Sequence, residues 1–195
     1  MIQVRLATAA LRLAGWRFEG ELPREKKYVC IAYPHTSNWD GLLMIDFATH
    51  LDLRARWMIK AEWTKGPLGS ALCALGAVGI DRARSHRVVA QMIDAFAAHE
   101  SFVLGIPPEG TRARAPRWRS GFYHIALGAG VPVVPAYLDF GRRRLGMGPP
   151  IHLTGDVRAD MDRVRAYYDS VPLRAYAPAH VGPIRLREED DPVAG

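Results

Sequence analysis

At 195 residues, 49% hydrophobic and 24% charged, the chain has the length and composition of one globular domain, which excludes a disordered, collagen-like or repetitive polypeptide. The formal net charge is +6, and arginine carries most of it, because the only lysines are Lys26, Lys27, Lys60 and Lys65. A basic surface attracts anions, whether nucleic acid, lipid headgroups or phosphorylated small molecules, although a GC-rich coding bias would raise arginine as well.

The first sixteen residues, MIQVRLATAALRLAGW, fall short of the ~18–20 apolar residues that a membrane span needs, and Arg5 and Arg12 interrupt them. Those arginines share one helical face, while Leu6, Ala10, Leu13 and Ala14 share another. The segment therefore reads as an amphipathic helix, which either packs on the protein's own core or lies in a membrane interface.

YVCIAY (28–33) reads as a short buried strand, followed by the turn PHTSN and an apolar helix from Trp39 to Leu51. ARWMIKA (55–61) is a second strand, and ALCALGAVGI (71–80) runs from a helix end through Gly76 into a third. Ser85 can cap a helix in which Val88, Val89, Met92, Ile93 and Phe96 recur at helical spacing. FVLGI (102–106) is a strand, PPEGTRARAPRWRSG (107–121) a loop, and FYHIALGAG (122–130) a helix ending at glycines. VPVVPAYLD (131–139) reads as a strand that its prolines push to an edge or a bulge. IHLTG (151–155) reads as a further strand and Arg158 to Ser170 as a helix.

This alternation predicts an α/β fold, a single-domain sandwich with a mixed, largely parallel central sheet flanked by helices. The chain divides into an N-terminal amphipathic segment (1–27), one domain (28–187) and a flexible tail (188–195). Cys30 and Cys73 make no disulfide framework and have no metal-ligand spacing, so they read as free thiols of a reducing cytoplasm.

Four short signals carry chemistry. In PHTSNWD, Pro34 disfavours helix before it and Ser37 or Asn38 can cap the helix that follows. His35 then sits in the turn and Asp40 in the first helical turn. A bend between them can bring the carboxylate back to the imidazole as a His–Asp dyad. Alone, the pair is equally a helix-dipole carboxylate near a chance histidine. No G-x-S-x-G elbow accompanies it, so a base without a protein nucleophile suggests direct attack by a substrate hydroxyl.

In PPEGTRAR (107–114), Gly110 permits close backbone approach, Thr111 brings a hydroxyl, and Arg112 brings a fork suited to phosphate. Arg114, Arg117 and Arg119 crowd the same loop. GAVGIDR (76–82) delivers Arg82 to a strand end, and VPVVPAY carries Pro132 and Pro135. Each of these alone is as readily a solvated loop, a strand-end ion pair or a structural strand.

In this order, from Tyr28 to Tyr137, the four motifs resemble those of the glycerolipid acyltransferase family, typified by 1-acyl-sn-glycerol-3-phosphate acyltransferases. The resemblance implies that His35 is the general base for an acceptor hydroxyl and that Asp40 orients it. Arg82, Glu109, Gly110, Thr111, Arg112 and Arg119 would bind the phosphate-bearing acceptor, and Pro132 and Pro135 would shape the site wall. The donor would be acyl-coenzyme A or acyl carrier protein, with no metal and no bound cofactor. A lysophospholipid-like acceptor implies a cytoplasmic enzyme held peripherally on the inner face of the membrane.

The chain departs from the family pattern in four places, one of them the basic-aromatic stretch WRSGFYH (118–124), where Arg119 is the only cation. Pro34 stands where relatives have Asn, Pro107 where they have Phe, and the family's N-terminal membrane helices have no counterpart beyond the short first segment. The nearest rival is a thioesterase or esterase using the same dyad on water. A nucleic-acid-binding module fits the charge, but no such motif is present.

Overall fold

A computed structural model describes residues 14–81 and 85–190. The amphipathic segment up to residue 13, Arg82 and the last five residues of the tail lie outside the described residues.

Seven strands form one sheet: β1 (Arg17–Glu19), β2 (Lys27–Ala32), β3 (Ala55–Lys60), β4 (Ala77–Ile80), β5 (Phe102–Ile106), β6 (Val133–Asp139) and β7 (Arg144–Met147). Their order is β1-β7-β6-β2-β5-β3-β4. The five strands from β6 to β4 run parallel, β7 runs antiparallel to β6, and β1 runs parallel to β7. Among the described residues, five α-helices accompany the sheet: α1 (Asn38–His50), α2 (Gly66–Ala74), α3 (Ser85–Ala98), α4 (Gly121–Ala129) and α5 (Val157–Ser170). The expected mixed, largely parallel α/β sandwich is the fold observed.

Alternation along β2 sorts the two layers, because successive side chains of a strand face opposite sides. Val29 and Ile31 join Leu104, Ile106 and Val133 in a core with Met92 and Phe96 of α3, Ile125 of α4 and Met161 of α5. Tyr28 and Cys30 face the other side, with Val103, Val134 and Ala136 and with Met44 of α1 packed against them. Trp16 and Phe47 extend that second layer towards Leu138 and Leu145. Leu104, with no exposure at all, represents the cost of disturbing this core: truncating such a residue to alanine costs about 2–5 kcal/mol.

One of two alternatives for the proline-bearing strand is excluded, and one expected strand is absent. Pro135 does not sit on an edge strand, since β6 lies inside the sheet between β7 and β2. The fold tolerates it because its missing N–H falls where the β7 pairing has ended. Only its carbonyl is needed there, and Gly148 N–H donates to it at 2.8 Å. The register also shifts at this point: Ala136 faces Met147, but Val133 faces Ile151, one residue beyond the position that register requires. The bulge alternative is therefore the right one.

IHLTG, in turn, is no strand, since Ile151 makes a single bridge and the chain then turns away. Pro149 and Pro150 bring no donors to a ladder, so the partner strand is the preceding Arg144–Met147. Residues 17–19 add β1 to the sheet, so part of the N-terminal segment belongs to the folded body.

β2 and β5 are neighbours, and Ile31 pairs with Ile106 near their C-terminal ends. The loops after these two strands therefore leave the sheet side by side, at the end where open α/β sheets place their sites.

Candidate active site

Ser37 caps α1, and a capping box closes its first turn. The Ser37 hydroxyl accepts from Asp40 N–H, and the Asp40 carboxylate accepts from Ser37 N–H at 2.7 Å. Thr36 N–H and the Ser37 hydroxyl, the latter at 3.0 Å, also donate to Asp40. These local bonds explain the spacing. Asp40 stands at the third helical position, where its carboxylate can turn back over the preceding loop.

His35 lies on that loop. Its Nδ1 is 3.8 Å from Asp40 Oδ2, with the His35 side chain 20% exposed and Asp40 buried. This is ion-pair range but too long for a hydrogen bond. The sequence thus brings both partners together, with the carboxylate bound first to the loop backbone and only electrostatically to the imidazole. Gly41 leaves the next position open, since a Cβ there would lie 3.8 Å from His35 Cε1.

The β5–α4 loop meets this turn at two points. Glu109 Oε1 accepts from His35 N–H at 2.8 Å, and the Arg112 guanidinium donates to the Asn38 side-chain oxygen. Each contact joins residues 74 apart, so the two loops run alongside each other in register. Gly110 adopts φ +67°, and a Cβ there would come within 2.9 Å of Arg119 Cγ, so glycine is required on both counts. Arg119 N–H donates to Pro108 O at 2.7 Å, folding the loop back on itself. Thr111 Oγ1 accepts from Ala113 N–H. Thr111, Arg112, Arg114, Arg117 and Arg119 are all exposed, whereas Glu109 is buried. Of the expected site residues, Arg82 alone lies outside the described residues.

The segment after α5 braces both loops from behind. Tyr33 donates its hydroxyl to Gly182 O at 2.9 Å, and Ala177 N–H donates to Thr36 Oγ1 at 3.1 Å. Trp118 N–H donates to Arg185 O at 2.7 Å, and Leu186 is fully buried. Tyr168 of α5 reaches through the core to Ile31 O and Ala136 O. Sequence reasoning missed these supports and Asn38. In the sequence Asn38 is no more than a cap candidate, and nothing local marks the rest.

Burial lowers the His35 pKa; Asp40 opposes the shift and the Arg112 charge reinforces it. The imidazole is therefore held neutral, as a base must be at rest. Burial pushes Glu109 up to about 7, against the pull of its backbone hydrogen bonds. Burial also pushes the Cys30 thiol up to about 12, so it is no nucleophile. Among the described residues, no cluster of His, Cys, Asp and Glu could hold a metal ion.

The arrangement is a neutral imidazole backed by a carboxylate and flanked by exposed guanidinium groups. It can accept a proton beside a bound anion. The acyltransferase family model matches residues 16–139, more than half of the chain. A search of curated proteins finds no match. Among solved structures, the fold is similar to the crystal structure of the 1-acyl-sn-glycerophosphate (LPA) acyltransferase PlsC from Thermotoga maritima. The TM-score is 0.60 at 18% identity, covering 89% of this chain and 80% of that one. With residues 16–139 matched, and with them both loops of the site, the chain belongs to the acyltransferase family.

Proposed function

We propose that this protein moves a fatty acyl group from acyl-coenzyme A or acyl carrier protein to a hydroxyl of a lysophospholipid-like acceptor, such as 1-acyl-glycerol-3-phosphate. The observation that carries this reading is the apposition of His35 and Asp40 to the arginine-bearing loop. The acceptor in the reading follows the similar fold, which is that of a 1-acyl-sn-glycerophosphate acyltransferase.

His35 Nε2 takes the proton of the acceptor hydroxyl as its oxygen attacks the thioester carbonyl. Asp40, 3.8 Å from Nδ1, stabilises the imidazolium that forms. The tetrahedral adduct collapses, the C–S bond breaks, and the imidazolium returns the proton to the thiolate. Acylated lipid and free thiol leave, and no acyl-enzyme forms. Two described candidates for a protein nucleophile are otherwise engaged, which supports direct transfer: the Ser37 hydroxyl is spent on Asp40, and Cys30 is buried. Arg112 and Arg119 receive the acceptor phosphate, with Gly110 and Thr111 shaping the loop; Arg82 joins them in this reading, and Pro132 and Pro135 support the wall. The chemistry asks for no metal or bound cofactor.

The acceptor is a lipid, and among the described residues no helix is long and apolar enough to cross a membrane. The reading therefore places the protein peripherally on the inner face of the cell membrane. The basic charge, the N-terminal amphipathic segment and the exposed Trp39, Leu42, Trp63 and Leu68 support that contact.

The test is to incubate the protein with acyl-coenzyme A or acyl carrier protein and a panel of lysolipids, following thiol release and lipid products together. Matched thiol and acylated lipid support transfer. Thiol release with free fatty acid and no acylated lipid assigns the dyad to hydrolysis instead.

A further inference from the structure

Glu109 stands inside the arginine loop, where a side chain that binds the acceptor would be open to it. Its geometry is different. The residue is 5% exposed, Oε1 is engaged by His35 N–H at 2.8 Å, and Oε2 is sealed from solvent with no hydrogen-bond partner. A headgroup phosphate would also be repelled by an ionised carboxylate and has the exposed Arg112 and Arg119 to choose instead. The one bond that Glu109 makes out of its own loop goes to the backbone of the residue that carries the imidazole.

We propose that Glu109 is a positioning residue: it clamps the backbone of His35 to the β5–α4 loop, so that the base and the anion-binding arginines are held as one unit. This rests on the reading of His35 as the base.

The geometry gives the clamp three properties. It acts on the main chain, so it sets where the imidazole starts and leaves the ring free to turn towards Asp40 on its other side. It survives protonation, because Oε1 accepts from an N–H whether or not Oε2 carries a proton. It also works with the Asn38–Arg112 contact three residues further along both loops. Two ties at matched positions prevent the loops from sliding past each other. The groups facing the carboxyl are the His35 amide, Asp40 of α1, Tyr33 at the end of β2 and Tyr168 of α5.

The full-length protein tests this with Glu109→Ala, Glu109→Gln and His35→Ala in parallel. The readouts are kcat, KM for each substrate, and hydrogen exchange at the His35 amide. A misplacement of about 1 Å in a site costs roughly 10²-fold in rate. Glu109→Ala should therefore lose about ten- to a hundredfold in kcat, leave both KM values within about twofold, and speed exchange at the His35 amide.

Glu109→Gln keeps an acceptor oxygen and should restore most of the lost kcat together with the amide protection. A rise in acceptor KM in Glu109→Gln, or a kcat as low as that of Glu109→Ala, would overturn the proposal. So would an unprotected His35 amide in the wild type. If Glu109→Ala does not fold, the Gln variant decides alone: it must keep both kcat and the protected amide. Full activity in folded His35→Ala would instead reject the base, a result separate from the fate of the amide.

Discussion

Asn38 receives the guanidinium of Arg112 with an uncharged oxygen. The choice of partner has an electrostatic meaning. A carboxylate there would hold the arginine equally well but would cancel its charge. An amide holds it and leaves the whole positive charge for an incoming anion. The buried carboxylates nearby, Asp40 and Glu109, are turned to backbone N–H groups instead.

Arg112→Ala should raise KM for a phosphorylated acceptor by ten- to a hundredfold, since charge-assisted contacts are worth about 1.5–3 kcal/mol. The donor KM should change little. Asn38→Asp should raise the acceptor KM about tenfold, because the new carboxylate competes with phosphate for the same fork. Steady-state kinetics with each substrate varied in turn checks both. Equal changes for donor and acceptor would make Arg112 a structural residue.

His35→Ala should lower the rate by roughly 10²–10⁴ with the fold intact by circular dichroism. The pH profile carries a further sign. A base works when neutral, and burial lowers the pKa of His35, so the acid limb of kcat/KM should lie on the acid side of the ordinary imidazole range. Arg112 contributes to that lowering and Asp40 opposes it. Arg112→Ala should therefore move the acid limb to higher pH, and Asp40→Asn should move it to lower pH.

Glu109 links stability to pH. Its carboxyl ionises near 4.5 when exposed and near 7 when buried in the fold. The folded state therefore favours the protonated form. This stabilisation is complete below about pH 4.5 and is lost as the pH rises through 7. Glu109→Gln cannot ionise. Relative to wild type, it should gain on the order of 2 kcal/mol in unfolding free energy between pH 5 and pH 8. Urea unfolding at the two pH values measures the difference, and an equal offset at both would mean that the carboxyl is not desolvated.

Trp39 and Trp63 are 58% and 60% exposed at the end of the sheet that carries the site. Tryptophan favours the membrane–water interface. The protein should sediment with anionic vesicles at low salt, in a manner weakened but not abolished by salt, since each cation near the surface contributes about 1 kcal/mol. Trp39→Ala and Trp63→Ala should weaken the salt-resistant part. Protein remaining in the supernatant at low salt would remove the membrane from the scheme and favour a soluble acceptor.

What could be read in the sequence was whatever depends on near neighbours. The cap at Ser37, the return of Asp40 over the loop, the helix carrying Met92 and Phe96 and the strand Phe102–Ile106 all follow from local spacing. Distant pairings could not be read in the same way. β1 and β7 have three and four residues, too few for a period to show; β1 is a strand only through its pairing with β7, and β7 only through its pairing with β6 and β1. Pro135 pointed to an edge because a proline removes a donor, but only the register reveals that no donor was needed there. Asn38 and Arg112 are polar residues on separate loops, and only the adjacency of β2 and β5 makes them partners.

The brace behind the site also sets an order of events during synthesis. The imidazole loop leaves the ribosome early and the arginine loop about 70 residues later, while Ala177, Gly182 and Arg185, which tie down both, come last. A nascent chain can pair β2 with β5 and β6 well before those ties exist. Its two loops would then hang from an assembled sheet with their outer supports missing. If His35 and Arg112 act as proposed, catalytic competence arrives as a late event, once the stretch around residue 180 has closed over the back of the loops.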